Sequence, residues 1–494
     1  MKVFKSIKTH KYFWWFLSSL SFFIANLDPL LSSFSLLGVG LFLQAIFSGQ
    51  DFKVLWRGSL LVGLGKYASA LLFFWTIYPL TWLGIGDGWW QLLVIGIMWI
   101  LFVLSLSVGM VFVSLVTKTI KNHVVLIFGF PLIFMIGELL GSLMFSFYAL
   151  GPGSSLNTNM TFGYVGYAFS NIVGFINLAV CGGIYLVAFM GLLLTVSIYI
   201  YLIDENKNII SLAQMVSLFV LVCVVTTSVY VSQRPVVGDG DKVIALETYF
   251  SSDLLTTKQG PQIKESETLV AVESAVTYNP QIILLPEDSR LTSIFNGSEA
   301  TYAFLQGLNY HGLLIDSART ETEIGTVLRS FIYDADLAKL ATSDKQYLVP
   351  QGEYVPYLVS LALKVFGQTN ILNELNYNQS YRLSTVVKNE LSTPAPLVVF
   401  CFEDLNPLIV KKNLTGENSF VFHPVSHAWF HSSRLIDNQF LSPLRIQAVW
   451  NNRPIIQSGN MAPSMAYLPN GQVVRGELLT STKYWSLWEF NLDK

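Results

Sequence analysis

Three residues in the second half of the chain are of types, and at places, that can do chemistry together. Glu287 closes the run Gln281-Ile282-Ile283-Leu284-Leu285-Pro286. Lys345 opens Lys345-Gln346-Tyr347-Leu348-Val349-Pro350-Gln351-Gly352-Glu353. Cys401 ends Leu397-Val398-Val399-Phe400 and is followed by Phe402-Glu403-Asp404. A cysteine thiol titrates near pH 8.5, so little thiolate exists at neutrality. A carboxylate can take its proton and an ammonium can stabilise the thiolate or a developing oxyanion, which makes a nucleophilic catalyst. The carboxylate needs partial burial to be basic enough. Each residue alone has a blander reading: a free cysteine is most often buried structure, and a lysine before an apolar turn is usually solvated. It is their order, and their separations of 58 and 56 residues, that point to one site assembled from three elements.

Those elements read as strands or strand edges, with Lys345 opening a turn-rich segment, and the end of a strand is the usual place for function in an open α/β sheet. Residues 397–400 are expected to form a buried central strand. Further strands are expected at 243–246, 281–285, 312–315, 326–333, 420–422 and 454–457. Helices are expected at 265–276, where the pattern is amphipathic, and at 439–452. The alternation predicts an α/β domain over residues 233–494.

The first half is different in kind. The chain has 494 residues, 52% hydrophobic and only 13% charged, against about 25% charged in soluble domains. The charge deficit falls in residues 1–232, where apolar runs near 12–27, 30–48, 57–83, 89–117, 123–149, 164–203 and 209–232 predict an integral helical membrane domain of about seven spans. The sixth run is long enough to include a re-entrant piece. Lys2, Lys5, Lys8 and Lys11 precede the first run, and Lys53, Arg57, Lys118, Lys121 and Lys207 fall in alternate loops. The other loops, at 84–90 and 151–163, carry no Lys or Arg. The positive-inside rule then puts the N-terminus in the cytoplasm and residues 233–494 outside it. Two ionisable residues lie within the runs. Lys66 is expected to snorkel to the cytoplasmic face. Glu138 is expected either to pair with a structural partner or to line a membrane cavity. The net charge of −2 gives no basic patch for nucleic acid. Three cysteines, Cys181, Cys223 and Cys401, make no disulfide framework.

Leu285-Pro286-Glu287, Lys345 with Leu348-Val349-Pro350-Gln351-Gly352-Glu353-Tyr354-Val355-Pro356, and Phe400-Cys401-Phe402-Glu403-Asp404 resemble the Glu-Lys-Cys motifs of the nitrilase superfamily. Placed behind a multi-span half, they resemble its membrane-bound branch, the apolipoprotein N-acyltransferases. Ala428-Trp429-Phe430, Asn452-Arg453-Pro454 and the segment 131–138 fit the same family. The resemblance implies an αββα sandwich domain at the outer face of the bacterial cytoplasmic membrane. It implies a phospholipid acyl donor, a thioester on Cys401, Glu287 as base, and Lys345 on the oxyanion. The acceptor is then the N-terminal amine of a diacylglyceryl-cysteine lipoprotein. Glu353, Glu403 and Phe402 take supporting positions, with no metal or organic cofactor and a monomer sufficient. A membrane-anchored amidase or nitrilase-like hydrolase with the same three residues is the alternative. The chain departs from the pattern at Gln351, His427, Gln447-Ala448-Val449-Trp450 and Ala462-Pro463, and its tail, residues 476–494, is too short and polar to span.

Overall fold

The computed structural model describes residues 11–48, 51–80, 88–234, 242–384, 386–391, 395–415, 418, 420–431 and 433–491. Lys2, Lys5 and Lys8 of the basic stretch, and residues 84–87 of the uncharged loop, lie outside these. The apolar runs become helices: α1 (Phe13–Ala25), α2 (Phe34–Phe47), α3 (Phe52–Ala70), α4 (Trp90–Thr119), α5 (His123–Tyr148), α6 (Val165–Ser170), α7 (Ala179–Ile203) and α8 (Lys207–Ser232). Four helical segments among the described residues are long and apolar enough to cross a membrane: Trp90–Thr119, His123–Tyr148, Phe175–Ile203 and Lys207–Ser232. At 1.5 Å per residue, α1 and α2 each reach only about 20 Å, less than the roughly 30 Å of a hydrocarbon core. Asparagines set two of the starts. Asn122 Oδ1 accepts from Val124 N at 2.8 Å and Asn206 Oδ1 from Asn208 N at 3.0 Å, satisfying amides that the helix leaves free.

Without a hydrophobic drive between helices in lipid, close backbone approach has to hold them. Small residues supply it where α4 meets α5. A Cβ on Gly109 would stand 1.9 Å from Gly137 O, and one on Gly141 2.4 Å from Leu106 O. The outward faces stay apolar, with Leu218, Phe219, Val222 and Val225 of α8 exposed, as lipid-facing side chains are. Helix α7 breaks at Gly182 and Gly183.

Lys66 does not snorkel. It is 1% exposed and pairs with Glu138, itself 1% exposed. The Lys66 stem on α3 points at α5, where a buried charge without a partner would be costly.

The second half is β1 (Lys242–Thr248), β2 (Ile282–Leu284), β3 (Leu313–Thr322), β4 (Gly325–Asp334), β5 (Lys339–Asp344), β6 (Val387–Asn389), β7 (Leu397–Val398), β8 (Val421–Ser426), β9 (Ile455–Asn460), β10 (Met465–Tyr467), β11 (Val473–Val474), β12 (Glu477–Ser481) and β13 (Trp485–Asn491). Pairing runs β12-β13-β1-β2-β3-β4-β5-β6 in one layer and β7-β8-β9-β10-β11 in the other. The layers meet at one corner, Thr248 with Asn460. Alternation along each strand explains the layering. Val243, Ala245, Ile282 and Leu284 pack between the layers against Phe400, Phe422 and Ile456. Their neighbours Ile244, Leu246 and Ile283 turn outward onto Ala271, Val272 and Ala275 of α9 (Gly260–Val276). On the far side, Val421 and Ile455 face Leu444 and Ala448 of α10 (Arg434–Asn451), in a core continuous with the helical half. The order is helix, sheet, sheet, helix.

Helix α10 begins five residues earlier than the sequence pattern suggests, because Ser433 Oγ accepts from Leu435 N at 3.2 Å and starts it. The expected central strand at 397–400 is an edge: among the described residues β7 pairs with β8 alone. Its apolar character comes from burial between other layers rather than from strands on both sides. Where α10 meets α7, Trp450 lies over Gly183, whose φ is +57°. A Cβ there would come 2.1 Å from the indole.

Candidate active site

Each of the three candidate residues leaves its strand where the ladder stops. Leu285 N still donates to Ile315 O at 3.0 Å, then Pro286 has no N–H to offer and Glu287 follows. Lys345 comes directly after β5, with its amide on Leu328 O at 2.8 Å. Val399 N makes the last ladder bond after β7, to Phe422 O at 2.9 Å, and two residues on the chain turns sharply. Cys401 takes φ +24° at the head of the short helical turn Cys401–Leu405, a strained geometry of the kind that holds a side chain in a fixed direction.

The three are brought together. Lys345 Nζ, 1% exposed, lies 2.8 Å from Glu287 Oε1 and 2.7 Å from Glu353 Oε1. The second oxygen of Glu353 accepts from Val349 N at 2.7 Å, and that of Glu287 from Ser426 N at 3.1 Å. Glu403 joins the cysteine turn to the lysine segment. Its Oε2 accepts from Phe400 N at 2.8 Å; its Oε1 accepts from Tyr347 N at 3.1 Å and closely from Gln346 N. Gly352 is needed where it stands, because a Cβ would sit 2.3 Å from the ring of Trp429.

Electrostatics separates the roles. Burial pushes the Cys401 thiol well above 9, and Glu287 pushes it further, against the pull of Lys345. Burial likewise raises Glu287, though Lys345 opposes it. Burial works against the Lys345 ammonium, but Glu287, Glu353 and Cys401 outweigh it and hold it well above the ordinary lysine value. So lysine stays charged and is no base, while the raised carboxylate is the better match for a raised thiol. Glu403 goes up to about 7 by burial, restrained by the N–H groups of Phe400 and Gln346.

Glu287, Lys345, Glu353, Cys401 and Phe402 all line one cavity of about 500 Å³, a size usual for small-molecule sites. The helical half builds part of its wall with Phe73, Phe74, Phe102, Phe145 and Phe162. The phenylalanines of that half are too many in sequence for these five to stand out. Sequence reasoning also missed Lys264, Asp288, Arg290 and Arg319 on the cavity wall. Asp288 and Arg290 follow Glu287 so closely that their position was the available signal. Glu138 is not among the lining residues; besides Lys66 it takes Val165 N at 2.7 Å. From there Thr161 reaches Leu405 O, at the end of the cysteine turn, at 2.6 Å.

The residues that depart from the family pattern have partners here. His427 Nδ1 lies 2.9 Å from Asp437, Gln447 Nε2 donates to Asp404 O at 2.8 Å, and Gln351 Nε2 donates to Tyr148 Oη at 2.6 Å. The loop at 151–155 borders a second cavity of about 210 Å³ that shares Phe145, Met160, Pro350 and Phe402 with the first. Among the described residues no group of His, Cys, Asp and Glu could hold a metal ion.

Fold and site together describe a membrane-type helical bundle joined to an α/β sandwich with a buried Glu-Lys-Cys cluster. The chain is similar to curated apolipoprotein N-acyltransferases. It is 23% identical over 295 residues to that of Aquifex aeolicus (strain VF5), covering 60% of this chain and 63% of the relative. It is 24% identical over 256 residues to that of Rhizobium leguminosarum bv. trifolii (strain WSM2304), covering 50% of this chain and 43% of the relative. It is 26% identical over 204 residues to that of Allorhizobium ampelinum, covering 40% and 38%. The matches thus span less than two thirds of these relatives' length. No family model matches the chain. Among solved structures, Saccharomyces cerevisiae Nit3, a member of branch 10 of the nitrilase superfamily, aligns with a TM-score of 0.35 at 14% identity, over 52% of this chain and 92% of its own.

Proposed function

We propose that this chain transfers a fatty acyl group from a phospholipid to the N-terminal amine of a diacylglyceryl-cysteine lipoprotein, through a thioester on Cys401. The observation that carries the reading is one cavity with two kinds of wall. A buried Glu287–Lys345–Glu353 cluster beside Cys401 shares it with aromatic side chains from the helical half. A soluble substrate would have no use for the second wall. A lipid substrate would, since each methylene drawn out of the bilayer costs about 0.8 kcal/mol.

In the first step Glu287 takes the thiol proton as Cys401 Sγ bonds to the ester carbonyl carbon. Lys345 holds two carboxylates and has a third N–H for the oxyanion. The tetrahedral adduct collapses as the C–O bond breaks, and Glu287 returns the proton to the departing glycerol oxygen. Lysophospholipid leaves and the thioester remains. The acceptor amine then attacks the thioester carbon, gives its proton to Glu287, and the C–S bond breaks as the thiol is reprotonated. Glu353 keeps Lys345 in place, Glu403 ties the cysteine turn to the lysine segment, and Phe402 packs beside Phe162 on the apolar wall, with ring centroids 6.4 Å apart. Residues 1–232 act as the membrane domain and residues 233–494 as the catalytic domain. The distribution of Lys and Arg supports an N-terminus in the cytoplasm and a catalytic domain at the outer face of the bacterial inner membrane.

Intact-protein mass spectrometry after incubation with phospholipid vesicles tests this. Wild type gains one fatty acyl mass that hydroxylamine removes, Cys401→Ala gains none, and a diacylated lipopeptide discharges it as N-acyl peptide. Wild type that never gains acyl mass, or that only releases free fatty acid, overturns the transfer reading.

A further inference from the structure

The loop after β2 carries a second cluster of charge beside the first. Asp288 takes the Arg290 guanidinium on both oxygens, at 2.8 and 2.6 Å. Arg319 Nε lies 3.6 Å from the same carboxylate, and Lys264 Nζ donates to the Asp288 carbonyl at 2.5 Å. Asp288 and Arg290 both sit in the left-handed backbone region, with φ of 58° and 65°. Residues with a Cβ adopt it only where the surroundings impose it. All four residues line the cavity that holds Cys401.

Three cations therefore gather around one carboxylate. With Glu265 counted, this cluster keeps one positive charge in surplus, which Lys345 with Glu287 and Glu353 offsets elsewhere on the cavity wall. The contrast with Lys345 is clear. That ammonium is sealed at 1% exposure between two carboxylates, whereas the side chains of Arg290 and Arg319 are 39% and 45% exposed. Their guanidinium forks have donors beyond those Asp288 uses, in the planar geometry that suits a phosphate. Arg319 also lies over the ring of Tyr381, 5.3 Å from its centroid. Asp288 is the residue next to Glu287, so an anion bound here lies only a short reach from the carbonyl that Cys401 attacks. The aromatic wall from the helical half lines the same space.

We propose that Lys264, Arg290 and Arg319 form a binding site for the phosphodiester of a glycerophospholipid, holding the headgroup while its acyl chain lies along the aromatic wall. This rests on the reading of the donor as a phospholipid. It adds which residues recognise it and by what charge.

The test is binding to the full-length chain carrying Cys401→Ala, so that turnover plays no part. Short-chain dihexanoyl phosphatidylglycerol, dihexanoylglycerol and inorganic phosphate are titrated separately. The Arg290→Gln/Arg319→Gln background should raise the Kd for the phospholipid at least tenfold while moving that for dihexanoylglycerol less than twofold. Arg319→Gln alone, which gives up only the long 3.6 Å contact to Asp288 and the approach to the Tyr381 ring, should raise it at least threefold. Equal losses for both lipids, or no loss for either, overturn the site. Inorganic phosphate binding as tightly as the phospholipid overturns its assignment to a lipid headgroup. With Cys401 intact, the ratio of acylation by phosphatidylglycerol to acylation by a phosphate-free p-nitrophenyl ester should fall at least tenfold in the double variant. If wild type binds phospholipid in this charge-dependent way yet never becomes acylated, the headgroup site stands and the transfer reading falls.

Discussion

Each half of the molecule buries a lysine, and the two are treated differently. Lys66 sits in the helical half with one carboxylate, Glu138, and both are sealed. Lys345 sits in the sandwich between two carboxylates, next to a thiol and an open cavity. The first cluster is neutral and closed, and nothing is left over to react. The second carries one more acid than base and borders empty space. Burying a charge is costly in both places. What separates the sealed pair from the candidate site is the unbalanced group and the void beside it, not the lysine.

That contrast can be broken in several ways. The largest effect should come from Lys66→Met, which strands Glu138 in the bundle and should destabilise the protein by about 3–5 kcal/mol. Thermal unfolding in detergent should show most of that loss recovered by Lys66→Met/Glu138→Leu, with acyl transfer retained. A double variant that folds yet does not transfer would make the pair reactive and erase the contrast. Lys345→Met should lower the acylation rate about 10²–10³-fold, as loss of an oxyanion donor does. Here removing the partner as well, in Lys345→Met/Glu287→Gln, should restore nothing in single-turnover assays.

The next effect is a pH limb. Glu287 must be ionised to act, and burial raises its pKa. Acylation should therefore rise with pH, about tenfold per unit, through a midpoint above the ordinary glutamate value of about 4.3. A midpoint at or below that value would remove Glu287 from the role of base. Thr161→Val should be milder. It deprives Leu405 O and Tyr167 Oη of a buried partner, at 2.6 and 2.8 Å, and should cost about 1–3 kcal/mol of stability with a partial loss of rate. The smallest effect should come from Lys388→Ala. Its pair with Glu390 is short, at 2.6 Å, but the side chains are 69% and 52% exposed, and solvent leaves such pairs worth less than about 0.5 kcal/mol by chemical denaturation.

The cluster that forms the candidate site was legible in sequence for a chemical reason. Few residue types can be nucleophile, base and oxyanion partner, and an apolar run that ends at such a residue marks it further. Glu287 and Cys401 met both conditions; Lys345 met the first alone, since it opens an apolar turn rather than closing a run. The sandwich was legible in outline because its strands alternate with helical patterns. Lys66 was misread because its partner lies 72 residues away on another helix, and a single lysine in an apolar run looks the same whether it pairs or snorkels. Arg319 was invisible for a similar reason: it projects from the middle of a strand, and only the fold brings it to Asp288. The position of β7 at an edge could not be read either, because burial by another layer and burial by flanking strands leave the same apolar run.

Gly183 has a consequence for how the two halves can be exchanged. The indole of Trp450 occupies the space that any side chain at that break in α7 would need. The sandwich is thus keyed to this bundle as a notch is to its pin. A chimera that joined this α/β half to another protein's membrane helices would have to carry the notch with it. Without it the cavity would lose its second wall even if both parts folded well.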